Sequence, residues 1–181
     1  VDEKLRFSKR DRIYCIALTA LYALVALVNL GTTTAPETAW YGQLGDEVRI
    51  TFGQTAEIAE IRVFGGLYTG RITLLADDGT EYEYDQENGD MFRWKDIADG
   101  TSTTTSGFTL TVTSGQVWFN EIAFFDAEGN YISAEAEGDA ALLFDEPDEV
   151  PENPSYLNGM YFDELYHART AYEHLHGLSP Y

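Results

Sequence analysis

The sequence predicts a mainly β chain: an antiparallel β-sandwich of the jelly-roll kind, flanked by an N-terminal transmembrane helix and a C-terminal α-helix. Three observations lead to this expectation. Residues 13–30 are uncharged and apolar. The stretch after them alternates apolar and polar residues in short segments separated by glycine-containing turns. Residues 161–177 are rich in helix formers and end on Gly177.

The composition limits the possibilities before any element is placed. A chain of 181 residues holds one ordinary module plus appendages, since single cores form at roughly 100 to 200 residues. Its 31 acidic and 11 basic residues give a formal charge of −20. That charge repels a phosphate backbone and argues against nucleic acid as a partner. Cys15 is the one cysteine, so neither an internal disulfide nor a thiolate metal site is available.

Residues 13–30 approach the ~20 residues that cross a bilayer core of ~30 Å. Lys4, Arg6, Lys9, Arg10 and Arg12 precede them, so residues 1–12 are expected to be cytoplasmic and Gly31 onward extracytoplasmic, at the cell membrane. A cleaved signal peptide is the alternative. Its apolar core usually runs only about 7 to 15 residues, and Pro36 follows the small-residue stretch 32–35 where cleavage would fall.

Strands are expected where apolar residues recur with period two: at Val48, Ile50 and Phe52, and at Phe108, Leu110 and Val112. Further runs lie at 58–64, 71–76, 81–84, 117–125 and around Tyr131. Turns at 77–80 and 127–130 place glycine where a hairpin needs positive φ, which pairs 72–75 with Tyr82 and Phe124 with Tyr131. Residues 29–42 (NLGTTTAPETAWYG) and 117–132 (VWFNEIAFFDAEGNYI) make the 35–135 region similar to a discoidin-like (coagulation factor 5/8 type C) module. The resemblance implies a sandwich that binds glycans or lipid headgroups through loops at one end. Trp40, Tyr41, Tyr68, Phe92 and Trp94 are the aromatics suited to stack on sugar rings; core packing is the alternative for each. The acidic stretch 85–90 offers hard oxygen ligands for calcium, but its glycine comes one position early for an EF-hand loop, and a solvated turn is the better reading.

Residues 136–155 are rich in Glu, Asp and Pro, with an apolar island at 140–144, and read as a linker. In the helix expected after them, Asp163, His167, Thr170 and His174 share one face, and Glu164 lies three residues before His167. A carboxylate beside an imidazole can deprotonate a hydroxyl, hold a divalent cation or form a surface ion pair. An alternative treats the helix as a platform packed on the sandwich through Tyr161, Leu165, Tyr172 and Leu175.

Residues 161–181, YFDELYHARTAYEHLHGLSPY, closely resemble the first extracytoplasmic loop of the bacterial protein O-mannosyltransferase-like family, GT-C glycosyltransferases of the membrane. In that family an Asp-Glu pair lies near a polyprenyl-phosphate sugar donor at the membrane surface, and Asp163 and Glu164 occupy those positions. The resemblance implies transfer of a mannose-like sugar to a glycan or protein acceptor, with Asp163 as general base and Glu164 and His167 supporting it. Arg169 and His174 would meet the donor, and a divalent metal ion on Asp163 and Glu164 is left open. The family continues into many further membrane helices, so 156–181 would be the start of a catalytic loop and the 181 residues an inactive N-terminal fragment. The competing expectation is a non-catalytic, membrane-tethered carbohydrate-binding module.

Overall fold

The computed structural model of the chain describes residues 8–28, 32 and 34–179. They fall into two compact units, 1–31 and 32–181.

In the first unit, α1 spans Lys9–Ala26. Ser8 caps it, its hydroxyl accepting from the Asp11 N–H while the Asp11 carboxylate accepts from the Ser8 N–H. The transmembrane expectation for 13–30 is corrected: no helix among the described residues is long and apolar enough to cross a membrane. The first turn carries Lys9, Arg10, Asp11 and Arg12, which leaves apolar residues 13–26, roughly 21 Å at 1.5 Å per residue. Residues 29 and 30 of the expected span and most of the basic end, with Lys4 and Arg6, lie outside the described residues. Every apolar side chain of α1 from Ile13 on is exposed or partly so, and none is buried.

The second unit is mainly antiparallel β-sheet, with a helix at its C-terminal end. Its strands are β1 (Trp40–Gln43), β2 (Glu47–Ile58), β3 (Glu60–Gly65), β4 (Gly70–Ala76), β5 (Glu81–Asp85), β6 (Trp94–Asp96), β7 (Thr103–Phe125), β8 (Tyr131–Ile132) and β9 (Ala134–Ala136). The long strand β7 is the organising element. Its first half pairs with β2 and β4, and its second half with β1, β3 and β8. Threonine and phenylalanine are its commonest residues, types that suit a pleated, half-buried surface.

The alternations expected at 48–52 and 108–112 appear as alternating burial. Ile50, Ile58, Ile61, Ile72, Leu74, Phe108, Leu110, Phe119, Ile122 and Phe124 form the fully enclosed centre. Both glycine turns close hairpins, with Gly79 at φ 93° and Gly129 at φ 82°. The second hairpin is one residue out of the expected register, since Tyr131 pairs with Phe125 and Ile132 with Phe124. The run 58–64 is two strands: the Ala59 N–H leaves the ladder and donates to Phe125 O at 2.8 Å. In the run 117–125, core residues fall at 117 and 119, then at 122 and 124. A β-bulge where Phe64 pairs with Glu121 but Gly65 with Phe119 causes this phase change, leaving Asn120 as the extra residue.

Residues 136–155 contain the end of β9 and two 3-10 turns, Gly138–Leu143 and Pro147–Glu149. Ala140 and Leu143 enter the main core, and Val150 packs on Phe64, Trp94, Ala123 and Phe125. Arg62 fastens the same stretch, donating to Pro151 O at 2.5 Å while its guanidinium lies 4.1 Å over the Phe125 ring.

Candidate functional site

Helix α2 spans Asp163–His176 and ends on Gly177 in the left-handed conformation (φ 64°), as the sequence predicts. It starts without a side-chain cap. Instead, Tyr161 to Glu164 form a turn in which the Glu164 N–H donates to Tyr161 O at 3.1 Å. Phe162 occupies its first central position at φ 50°, ψ −122°, a conformation that favours glycine. Holding a phenylalanine there costs on the order of 1–3 kcal/mol. Asp163 and Glu164 therefore follow directly on a strained residue.

Leu165 and Tyr172 fasten α2 to the sheet. Leu165 is buried with Leu67, Met91 and Trp118, while the Tyr172 ring lies 5.1 Å from Trp118 and 6.2 Å from Phe92. Of the four contacts expected for a platform helix, these two are made, whereas Tyr161 and Leu175 are exposed, Leu175 at 83%. Trp118 is the floor of this contact. Its ring leaves no room for a side chain at Gly66, where a Cβ would come within 2.4 Å of it. Its indole Nε1 has no hydrogen-bond partner among the described residues.

Asp163 and Glu164 are both exposed, and the Glu164 carboxylate accepts from the Tyr161 N–H at 3.2 Å. No hydrogen bond joins Glu164 to His167 among the described residues, and His167 and His174 are exposed. Arg169 reaches one turn forward along the helix and donates to the buried Glu173 carboxylate at 2.8 Å. Its other end reaches Asn88 Oδ1 at 3.4 Å. Among the described residues there is no group of three or more His, Cys, Asp or Glu that could hold a metal ion.

The five aromatics divide. Trp40 is buried in the main core and Trp94 with Phe64, Ala123 and Phe125, so both are packing residues here. Phe92 is half-buried under α2. Tyr41 (52% exposed) and Tyr68 (37%) remain at the surface, 6.1 Å apart and 5.1 and 5.7 Å from Trp118. Burial, with Tyr172 and Tyr68 as neighbours, raises the Tyr41 phenol above its ordinary value. The structure thus brings Tyr41 and Tyr68 together with α2 through Trp118 and Tyr172.

Sequence reasoning missed Trp118 and Glu121 as special positions. Period-two counting through 117–125 cannot show which of these residues face away from the core once a bulge shifts the phase. Glu121 is completely buried, and its carboxyl is pushed up to about 8, chiefly by desolvation. The only available signal was the polar pair Asn120 and Glu121 inside an otherwise apolar run. A surface groove between 52–57 and 126–133 contains none of the sequence-designated residues.

Comparison of the chain with protein-family models, curated proteins and solved structures finds no match.

Proposed function

We propose that this chain is the N-terminal part of a membrane glycosyltransferase of the GT-C kind, which moves a mannose-like sugar from a polyprenyl-phosphate carrier to an extracytoplasmic hydroxyl acceptor, on a glycan or a protein. Helix α1, with apolar side chains exposed along its length, makes the membrane contact at the cell surface. The β unit is a discoidin-like sandwich inserted ahead of the catalytic loop, and its role is to hold that loop and the acceptor side of the site. The observation that carries the reading is the placement of the Asp-Glu motif. It opens a helix on a strained turn, with both carboxylates exposed while the helix is fastened to the sheet.

In the proposed reaction the Asp163 carboxylate takes the proton of the acceptor hydroxyl as its oxygen attacks the anomeric carbon. The bond from that carbon to the phosphate oxygen breaks, its electron pair leaves with the lipid phosphate, and the configuration inverts. Glu164 positions the loop through its bond to the Tyr161 N–H, and His167 and His174 extend the polar face. Asp163 and Glu164, together with the donor's own phosphate oxygens, would be the groups to hold a divalent ion, which would neutralise charge on the leaving phosphate.

The test is Asp163→Asn in the protein carrying its complete native reading frame. Loss of a general base is expected to lower transfer by about a hundredfold or more, with donor binding retained. Unchanged transfer rejects the reading. A carbohydrate-binding module is the second reading, favoured by the exposure of Tyr41 and Tyr68 beside Trp118. In a glycan panel, a binder should lose its ligand in the Tyr41→Ala, Tyr68→Ala double variant, and a wild-type chain that binds nothing makes the β unit a spacer.

A further inference from the structure

Glu121 is a carboxyl enclosed on the face of β7 opposite the main core, and a specific segment closes over it. Residues 138–150 run from the main core, where Ala140 and Leu143 are buried and Phe144 stacks on Phe124 at 6.2 Å, to the opposite face, where Val150 packs on Phe64, Trp94, Ala123 and Phe125. The Glu146 N–H then donates to Glu121 Oε2 at 3.3 Å. The Glu146 carboxylate accepts from the N–H groups of Glu37 and Thr38, each at 2.8 Å, and from the Thr38 hydroxyl at 2.9 Å. The same hydroxyl lies 2.8 Å from Asp145 Oδ1, so its single proton is shared. Asn120 Nδ2 donates to Thr38 O at 2.8 Å. This knot joins the entry to β1, the bulge of β7 and the segment leading towards α2.

The knot is incomplete at two atoms. Glu121 Oε1 and Asn120 Oδ1 have no hydrogen-bond partner among the described residues. Asp145 and Glu146, both acidic, are the charged groups that face Glu121 from the covering segment, and the Tyr131 phenol faces it from β8. A carboxylate in that position would be desolvated, half unpartnered and beside like charge, whereas a neutral carboxyl is tolerated.

We propose that Glu121 is a proton-dependent latch whose neutral form keeps residues 138–150 seated on the sheet, and whose ionisation requires that segment to lift and admit water. The closed carboxyl titrates at about 8, and the hydrated one in the open state near its ordinary 4.5. The closed form binds the proton more tightly, so closure is fully favoured below pH 4.5 and weakens as pH rises through 8. Across that window the opening constant grows by up to about tenfold per pH unit and then levels off. The latch stands independently of the proposed transferase chemistry.

The test is hydrogen exchange on the intact chain from pH 5.5 to 8.5, with intrinsic rates divided out. Protection in 138–150 should fall by up to about tenfold per pH unit, while the half of β7 paired to β2 and β4 should hold its protection. Glu121→Gln, similar in shape and uncharged, should flatten the profile. A flat wild-type profile overturns the latch, as does an equally steep profile in Glu121→Gln. Should that variant not fold, direct NMR titration of the Glu121 carboxyl decides: a midpoint near 8 supports the latch and one near 4.5 overturns it.

Discussion

Phe108→Ala is expected to cost about 3–5 kcal/mol of unfolding free energy, a large share of the stability of an ordinary domain. Phe108 is fully buried where the two best-formed ladders meet, paired with Ile50 on β2 and Ala76 on β4. Its ring stacks on Phe124 at 5.4 Å and makes T-shaped contacts with Phe52 at 5.9 Å and Tyr82 at 6.0 Å. Each such pair adds about 0.5–1.5 kcal/mol beyond area burial. The cavity would be lined by residues of separate strands whose backbones are fixed by ladder hydrogen bonds, which limits relaxation. Denaturant unfolding at one pH measures the loss, and Phe108→Leu should restore most of it. A loss of 1 kcal/mol or less would mean the core collapses around the site.

Trp118→Ala is expected to cost a similar ~3–5 kcal/mol, but in a different place. Trp118 meets the rings of Tyr41 and Tyr68 and that of Tyr172 of α2. Because its Nε1 makes no hydrogen bond among the described residues, the loss is one of packing alone. Helix α2 depends on Leu165 and Tyr172 for its burial, and both lean on this ring. The variant should therefore lose exchange protection across 163–176 before the β core opens, and Trp118→Phe should retain part of it. Equal protection of α2 in wild type and Trp118→Ala would falsify the docking described here. Under the proposed function the same variant should lower transfer while leaving Asp163 chemically intact, since the helix carrying Asp163 would lose its support.

The elements that were legible in the sequence are those set by local rules. Period-two alternation located β2 and the first half of β7, because burying one face of a pleated strand imposes that period. Glycine at positive φ located both hairpin turns, and Gly177 marked the end of α2. The Asp-Glu motif was legible as the start of a helix, although its strained entry at Phe162 was not, since phenylalanine carries no local preference for that backbone. Nor could the pattern choose among exposed and buried aromatics: Trp40 and Trp94 were as eligible to stack on a sugar ring as Tyr41 and Tyr68, yet both are buried in clusters drawn from distant segments.

The amino-acid sequence by itself determined the β class, the turns, the C-terminal helix and the acidic character, because each depends on neighbours within a few residues or on composition alone. The tertiary structure decided the rest. Only the antiparallel ladder between β3 and β7 creates the bulge at Asn120, and only that bulge turns Glu121 and Trp118 onto the face covered by the C-terminal segment. Which side chains become a buried acid, a helix seat or an exposed ring depends on contacts between residues far apart in the chain, and such contacts leave no period in the sequence.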